Sequence, residues 1–370
     1  MRGINPAYLE RLEESQRQFI LTGYGKFFAD NFIFMDAEHG YVIGPTGSGK
    51  TNKNHNLVNW LKYTETILWI SASKDNDIIP LLFMGLPVNI IVPKYAGVTI
   101  KHDEDFTGQV IYTYVNDPSD VFYAIKGDHI NILEVRNAFW SRDNLLDWMI
   151  SFFKQLAEGC RRGTLPRICP PSYKGRGSKV AVIIDESQWL IAGTKVTNDP
   201  KRVKATEEIA GSALEIRTYG WRLVISAQGF TNIVPVIREN MPCVFLCANA
   251  QVDDVPSLRK HCNPPPITGW RSTSTFRRNE YKFVDRQGRA SPNHKPLPVP
   301  MFPKQESDQI IARKMRVIYA RTYHDQPPES AESETECFPE LGRFSPLAIP
   351  PEKQEHFEYS RFDAEVISHE

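Results

Sequence analysis

The stretch Gly40-Tyr-Val-Ile-Gly44-Pro-Thr-Gly-Ser-Gly-Lys50-Thr51 decides how the rest of the chain is read. Gly40–Ile43 is a short apolar run with strand character. It passes directly into Gly44, Pro45, Thr46, Gly47, Ser48, Gly49, Lys50 and Thr51, which fit in full the spacing GxxxxGK followed by Ser or Thr. Asn52–Tyr63 then carries Leu57, Val58 and Leu61 on one helical face. Strand, glycine-rich loop and helix together are the setting in which this spacing has chemical meaning. Glycines let backbone N–H groups turn inward with no Cβ in the way, which makes a nest for phosphate oxygens. The helix adds free N–H groups and the positive end of its dipole. Lys50 is then placed to reach the β- and γ-phosphates of a nucleoside triphosphate, and the Thr51 hydroxyl to take one position on Mg2+. The expected ligands are ATP and Mg2+.

A second signal is Val180-Ala-Val-Ile-Ile-Asp185-Glu186, an apolar strand ending in two carboxylates, the Walker B pattern. Asp185 suits the metal, and Glu186 suits orienting or deprotonating the attacking water. Acids also end strands as helix caps, so the pair takes its meaning from the loop at 44–51. The third signal is Arg217-Thr-Tyr-Gly220-Trp-Arg222-Leu-Val-Ile-Ser-Ala-Gln228. A buried strand ending in Gln228 would set an amide beside a γ-phosphate; a polar strand end without a role is the alternative.

Further strands are expected over Thr66–Ala72, Val88–Val92, Val110–Val115, Ile130–Val135, Arg222–Ser226 and Cys243–Cys247. Helices are expected over Pro6–Phe19, over Ser141–Glu158 with Ser141 as N-cap, and over Lys201–Arg217. Strands alternating with helices imply an α/β fold, a parallel sheet with helices on both faces, and with the loop at 44–51 this is the P-loop NTPase architecture. The organisation read from this pattern is a lead-in helix over 1–35 and a P-loop ATPase domain over 36–262. A basic extension follows over 263–324, with a small β-hairpin at Thr275–Arg289, and then an acidic, disordered tail over 325–370.

The chain has 370 residues and no net charge, but the charge is segregated. From Asp325 to Glu370 there are twelve acidic and three basic residues, so the tail is −9 and the remainder +9. Such a basic body suits contact with nucleic acid. Cys160–Ile184 holds Arg161, Arg162, Arg167, Lys174, Arg176 and Lys179 and no acid, which suits phosphate backbone contact or a merely solubilising loop. Trp270–Arg289 interleaves aromatic and basic residues, as single-strand stacking sites do and as ordinary hairpins also do. The six cysteines form no CxxC pair and the nine histidines no ligand-spaced pair, so no zinc site and reduced thiols are expected. The polar start Met1–Glu14 and the lack of any eighteen-residue apolar stretch predict neither a signal peptide nor a membrane span.

The Arg217-x-x-Gly220 spacing, the apolar strand and Gln228, with Asn232–Cys247 after them, resemble the FtsK/HerA superfamily of DNA-pumping ATPases. Ile130–Val135 with the helix that follows it fits the same layout, so the likeness covers roughly residues 36–250. The resemblance implies that Arg217 acts across a subunit boundary as an arginine finger, with Arg222, read as a solvated strand-edge residue, as the rival. Only about forty residues precede the loop, so the build resembles viral genome-packaging ATPases of the poxvirus and tectivirus type. That likeness implies a homo-oligomeric ring, expected to be a hexamer, acting on DNA, with capsid or portal-vertex proteins as partners, in the host cytoplasm or the virion. Two other functions stand beside it. One is an assembly or secretion ATPase of the filamentous-phage morphogenesis type; the other is a nucleotide-dependent scaffold, which the complete set Lys50, Thr51, Asp185 and Glu186 argues against.

Overall fold

In the computed structural model the described residues are 10, 12–71, 80–81, 84–94, 98–99, 110–135, 139, 141–191, 197–229, 237, 240–250, 276–291 and 320–321. The acidic tail and most of the Pro-rich stretch at 291–303 lie outside them. Helices α1 (Glu14–Leu21) and α2 (Gly23–Phe28) lead through a π-helical turn (Ala29–Ile33) into β1 (Gly40–Ile43). Then come α3 (Lys50–Leu61), β2 (Thr66–Ser71), β3 (Val88–Pro93), β4 (Val98–Thr99), β5 (Val110–Val115), α4 (Asp120–Ala124) and β6 (Ile130–Glu134). The chain continues through α5 (Arg142–Arg162), β7 (Val180–Ile184), α6 (Pro200–Ile216), β8 (Trp221–Ala227), β9 (Cys243–Cys247), β10 (Tyr281–Val284) and β11 (Ala320–Arg321).

Nine strands form one sheet in the order β10-β9-β1-β8-β7-β2-β6-β3-β5, and β4 pairs with β11 apart from it. All pairings in the large sheet are parallel except β9 with β10. Parallel strands need crossovers, and the helices lie on both faces, so the central strands are buried along their whole length. Their side chains alternate between two cores. Val180, Val182 and Ile184 of β7 join Leu223 and Ile225 of β8 under α5 and α6. Ala181 and Ile183 join Val42, Val224 and Trp69 on the other face, under α3 and the N-terminal helices. Among the described residues no helix is long and apolar enough to cross a membrane.

The boundaries follow local chemistry. Ser141 caps α5 through its hydroxyl, which accepts the Asn144 N–H at 3.2 Å. That helix runs past its expected end to Arg162, where Gly163, at φ +66°, stops it in the left-handed conformation. Asp199 caps α6 by accepting the N–H groups of Lys201 and Arg202, and Pro200 opens the helix. Of the hairpin expected at 275–289, residues 276–289 are described, and its strand β10 joins the edge of the main sheet. β10 pairs with β9 because Tyr281 and Phe283 complete the aromatic core around Phe28, Phe32 and Phe245. Only a tight return, with a bridge from Val284 to Ala290, survives of the hairpin.

Arg222 corrects the sequence expectation of a solvated residue: it is fully buried. Its Nε and Nη2 donate to the Glu65 carboxylate at 2.7–3.0 Å. Its remaining N–H groups donate to the carbonyls of Phe32, Glu38 and Met35 at 2.8–2.9 Å. The guanidinium is thereby saturated and ties β8 to the segment entering β1. Beside it, His39 Nδ1 accepts the Leu223 N–H at 3.0 Å, and Nε2 meets the Ala213 carbonyl at 2.6 Å, so Nε2 carries the proton. Burial pushes the His39 imidazole down to about 4, opposed by the Ala213 bond and aided by the charges of Arg222 and Arg217.

Arg222→Ala leaves Glu65 buried and uncompensated and is expected to cost about 3–5 kcal/mol, while an Arg222→Met/Glu65→Met pair costs less. Denaturant midpoints check this; a cheap single variant would contradict it. Because the folded-state pKa of His39 lies below the unfolded value, its contribution is complete above about pH 6.5 and is lost as pH falls toward 4. The stability gap between the unmodified chain and His39→Gln should narrow by roughly 3 kcal/mol over that window, measured by denaturation at a series of pH values.

Candidate functional site

In open α/β sheets, ligands bind at the carboxyl ends of the strands. Here the ends of β1, β8 and β7 are adjacent, with Ile43 opposite Ala227 and Ile184 opposite Ile225. The loop 44–49 leaves β1 at this edge, its Gly44 N–H donating to the Ala227 carbonyl at 3.2 Å. Gly47 and Gly49 have φ +81° and +98°, conformations that side chains resist. A Cβ on Gly44 would lie 2.4 Å from Ser48 Oγ, so the loop is wound too tightly for any larger residue there. Thr46 and Gly47 are exposed at the crest, and Pro45 is half-buried behind them.

Lys50 opens α3 and its Nζ donates to the Pro45 carbonyl at 3.1 Å, folding the ammonium back over the loop. Thr51 Oγ1 donates to Asp185 Oδ2 at 2.7 Å. The two motifs, 134 residues apart in sequence, therefore meet. Asp185 Oδ1 accepts two further bonds, from Asn54 Nδ2 at 2.7 Å and from Ser226 Oγ at 2.6 Å. Glu186 follows at φ +49°, a left-handed conformation uncommon for a non-glycine residue, and its N–H donates to Ser226 Oγ at 2.8 Å. Gln228 comes directly after β8, exposed, one residue beyond the Ala227 carbonyl that holds Gly44.

Arg217 is not in this group. It stands at the opposite end of β8, a seven-residue strand, so about 20 Å separates it from the loop. There it pairs with the buried carboxylate of Glu38 at 2.9 Å and lines a cavity of about 390 Å³ with Arg167, Arg176 and Lys179. Arg222, its rival, has no N–H to spare for another subunit. Of the basic loop, Arg167 staples the loop to itself through the carbonyls of Tyr173 and Gly175, and Lys179 pairs with Asp36. Arg161, Arg162, Lys174 and Arg176 are exposed.

Sequence reasoning missed Ser226 and Asn54. Ser226 has a signal in hindsight: it lies two residues before Gln228 on the strand next to Asp185. Asn54 is four residues after Lys50, one helical turn on, and so faces the same side.

The site fits a metal-bound triphosphate on three observations. Ser48 Oγ is buried with no hydrogen-bond partner among the described residues. The loop has room for no Cβ at Gly44 or Gly49. A hydroxyl and a carboxylate, both hard oxygen donors of the kind Mg2+ prefers, already touch.

The sequence matches no protein-family model and no curated protein. In fold the chain is similar to the genome packaging NTPase B204 of Sulfolobus turreted icosahedral virus 2 in complex with sulfate, with a TM-score of 0.43 and 12% identity over 71% of this chain and 98% of that one. It is also similar to VirB4 of Thermoanaerobacter pseudethanolicus, with a TM-score of 0.43 and 11% identity over 72% and 91% of the two chains. The pCW3 conjugation coupling protein TcpA gives a TM-score of 0.37 and 16% identity over 76% and 65%.

Gly47→Ala meets open space, so only backbone strain of about 1–3 kcal/mol opposes it. Gly49→Ala carries that strain and also drives a methyl to 2.3 Å from Asn279 Oδ1. Chemical denaturation should rank Gly49→Ala as the costlier change; equal costs would mean that the loop is not packed as described.

Proposed function

We propose that the chain is an ATPase that couples ATP hydrolysis to the movement of DNA, in its fullest form the packaging of a viral or mobile-element genome. The observation that carries the first half is the 2.7 Å contact of Thr51 with Asp185 at the root of a glycine-rich loop. Mg2+ would supply charge neutralisation between the β- and γ-phosphate oxygens. Thr51 Oγ1 and Asp185, which already touch, are the residues that would hold it. The backbone N–H groups of Gly47 to Thr51 bind phosphate oxygens. Lys50 exchanges its bond to the Pro45 carbonyl for one to phosphate.

Glu186 accepts the proton of the attacking water or orients that water. Ser226 fixes the Asp185 carboxylate and the Glu186 backbone, since one hydroxyl donates to Asp185 and accepts the Glu186 N–H. Gln228, on the same strand, is the group to report the presence of the γ-phosphate. A change there passes along β8, through Ser226, to the acid pair.

The second half of the reading rests on the resemblance around Arg217 and on the exposed basic residues of the loop after α5. Arg217 lies far from its own chain's site and is two-thirds buried against Glu38. In a ring it would complete the site of the neighbouring subunit. The exposed Lys174 and Arg176 would meet the phosphate backbone, a contact that needs charge and no base sequence. Capsid or portal-vertex proteins are the proposed partners of such a ring, in infected cells or the virion.

Glu186→Gln should bind ATP with unchanged affinity and hydrolyse it about 100-fold or more slowly, the range for loss of a general base. Ser226→Ala should lower turnover while leaving affinity nearly intact. Steady-state hydrolysis with and without double-stranded DNA, beside nucleotide titrations, separates the readings. Stimulation by DNA supports a translocase; hydrolysis indifferent to DNA favours an ATPase acting on protein during assembly or secretion.

A further inference from the structure

The turn Arg277–Glu280 reaches the phosphate loop from the extension beyond β9. Glu280 N–H donates to the Arg277 carbonyl at 2.9 Å, and the Glu280 carboxylate accepts the Arg277 N–H at 3.0 Å. Asn279, third in the turn, has φ +68°, which this position demands and asparagine tolerates. Its N–H donates to the Ser48 carbonyl at 3.3 Å. Its side chain covers Gly49 so closely that an added Cβ would meet Oδ1 at 2.3 Å.

A second fastening lies two residues on. Tyr281 opens β10 and places its ring 3.6 Å from Nζ of Lys53, in the first turn of α3. Phe245 and Phe28 close the same box at 4.7 and 4.9 Å. Lys53 has no hydrogen-bond partner among the described residues, so the aromatic faces are what hold its amine. The turn is thus fixed both to the loop and to the helix that follows it.

Arg277 and Arg278 are the two residues before Asn279. Both are exposed. Neither guanidinium has an ion pair or hydrogen bond among the described residues, in contrast to Arg217, Arg222 and Arg289, which all hold a carboxylate. Consecutive Cα atoms lie about 3.8 Å apart, so Arg278 starts one such step and Arg277 two steps from Asn279, and a long arginine stem can carry either cation toward an anion seated in the loop. Guanidinium is the side chain best shaped to take two phosphate oxygens at once.

We propose that Arg277 and Arg278 contact the phosphates of a nucleotide bound in the same chain, and that Asn279 is the positioning residue that presents them. This rests on the ATP-site reading. The edge strand then has a role beyond closing the sheet, since β10 brings a pair of cations to a site whose loop ends in Lys50. Each phosphate added to the ligand adds charge within their reach, so they favour a triphosphate over a diphosphate.

The test is a calorimetric titration of Mg-ATP, Mg-ADP and a short DNA duplex into the full chain and three variants, with melting temperature recorded for each. Arg277→Ala/Arg278→Ala should lose about tenfold or more in ATP affinity, less for ADP, with the melting temperature unchanged. Asn279→Gly keeps both the N–H and the left-handed backbone and should retain ATP affinity. Asn279→Val cannot hold that backbone and should weaken ATP binding although both arginines remain. A double variant that binds ATP as the unmodified chain does overturns the proposal, whether or not its DNA affinity falls; a fall would assign the arginines to DNA. Absence of nucleotide binding by the unmodified chain would overturn the ATP-site reading itself, and this proposal with it.

Discussion

Asp185 is a carboxylate that water scarcely reaches, and the structure is organised around satisfying it. Three donors converge on its two oxygens, Thr51 and Asn54 from α3 and Ser226 from β8. A buried charge deprived of such partners is expensive, so these bonds fix the helix after the loop against the ends of two strands. The positions of β1, β8 and β7 in the sheet order are what make this convergence geometrically available. A one-residue slip of β8 against β7 would turn Ser226 to the wrong face.

The two ends of the sheet differ in how far their polar groups are satisfied. At the amino ends of the strands, Arg222, Glu65 and His39 form a network in which the guanidinium and both imidazole nitrogens are bonded. Such a network specifies one arrangement and resists change. At the carboxyl ends, Ser48 Oγ has no partner among the described residues, Glu186 sits at positive φ and Gln228 is exposed. Strain and unused polar groups gather where a ligand would use them, and the Arg222–Glu65–His39 network ties the strands together behind them.

The elements that were legible in the sequence are those whose signal is local. Gly40–Ile43, Val110–Val115, Val180–Ile184 and Cys243–Cys247 are apolar runs bounded by turn residues, and each is a strand over those residues. The meeting of the loop with Asp185 was legible because spacing and context together admit few alternatives. Arg222 was not, because its partner Glu65 lies in the turn after α3, and nothing in the strand's own sequence announces it. Helix α3 reads as half-exposed, since KTNKNHN is polar, yet it is buried because α1, α2 and β10 cover it. The contact of Asn279 with Gly49 joins segments that no periodicity connects.

The most direct measurement is electron paramagnetic resonance of Mn2+ titrated into the protein with and without ATP. If the loop and the acid pair share one metal-bound triphosphate, a single tightly held Mn2+ should appear only when ATP is present. It should vanish in Thr51→Val and in Asp185→Ala, the latter judged on protein shown to be folded. Manganese held equally well without nucleotide, or unaffected by either substitution, would place the metal elsewhere and contradict the convergence on which the site rests.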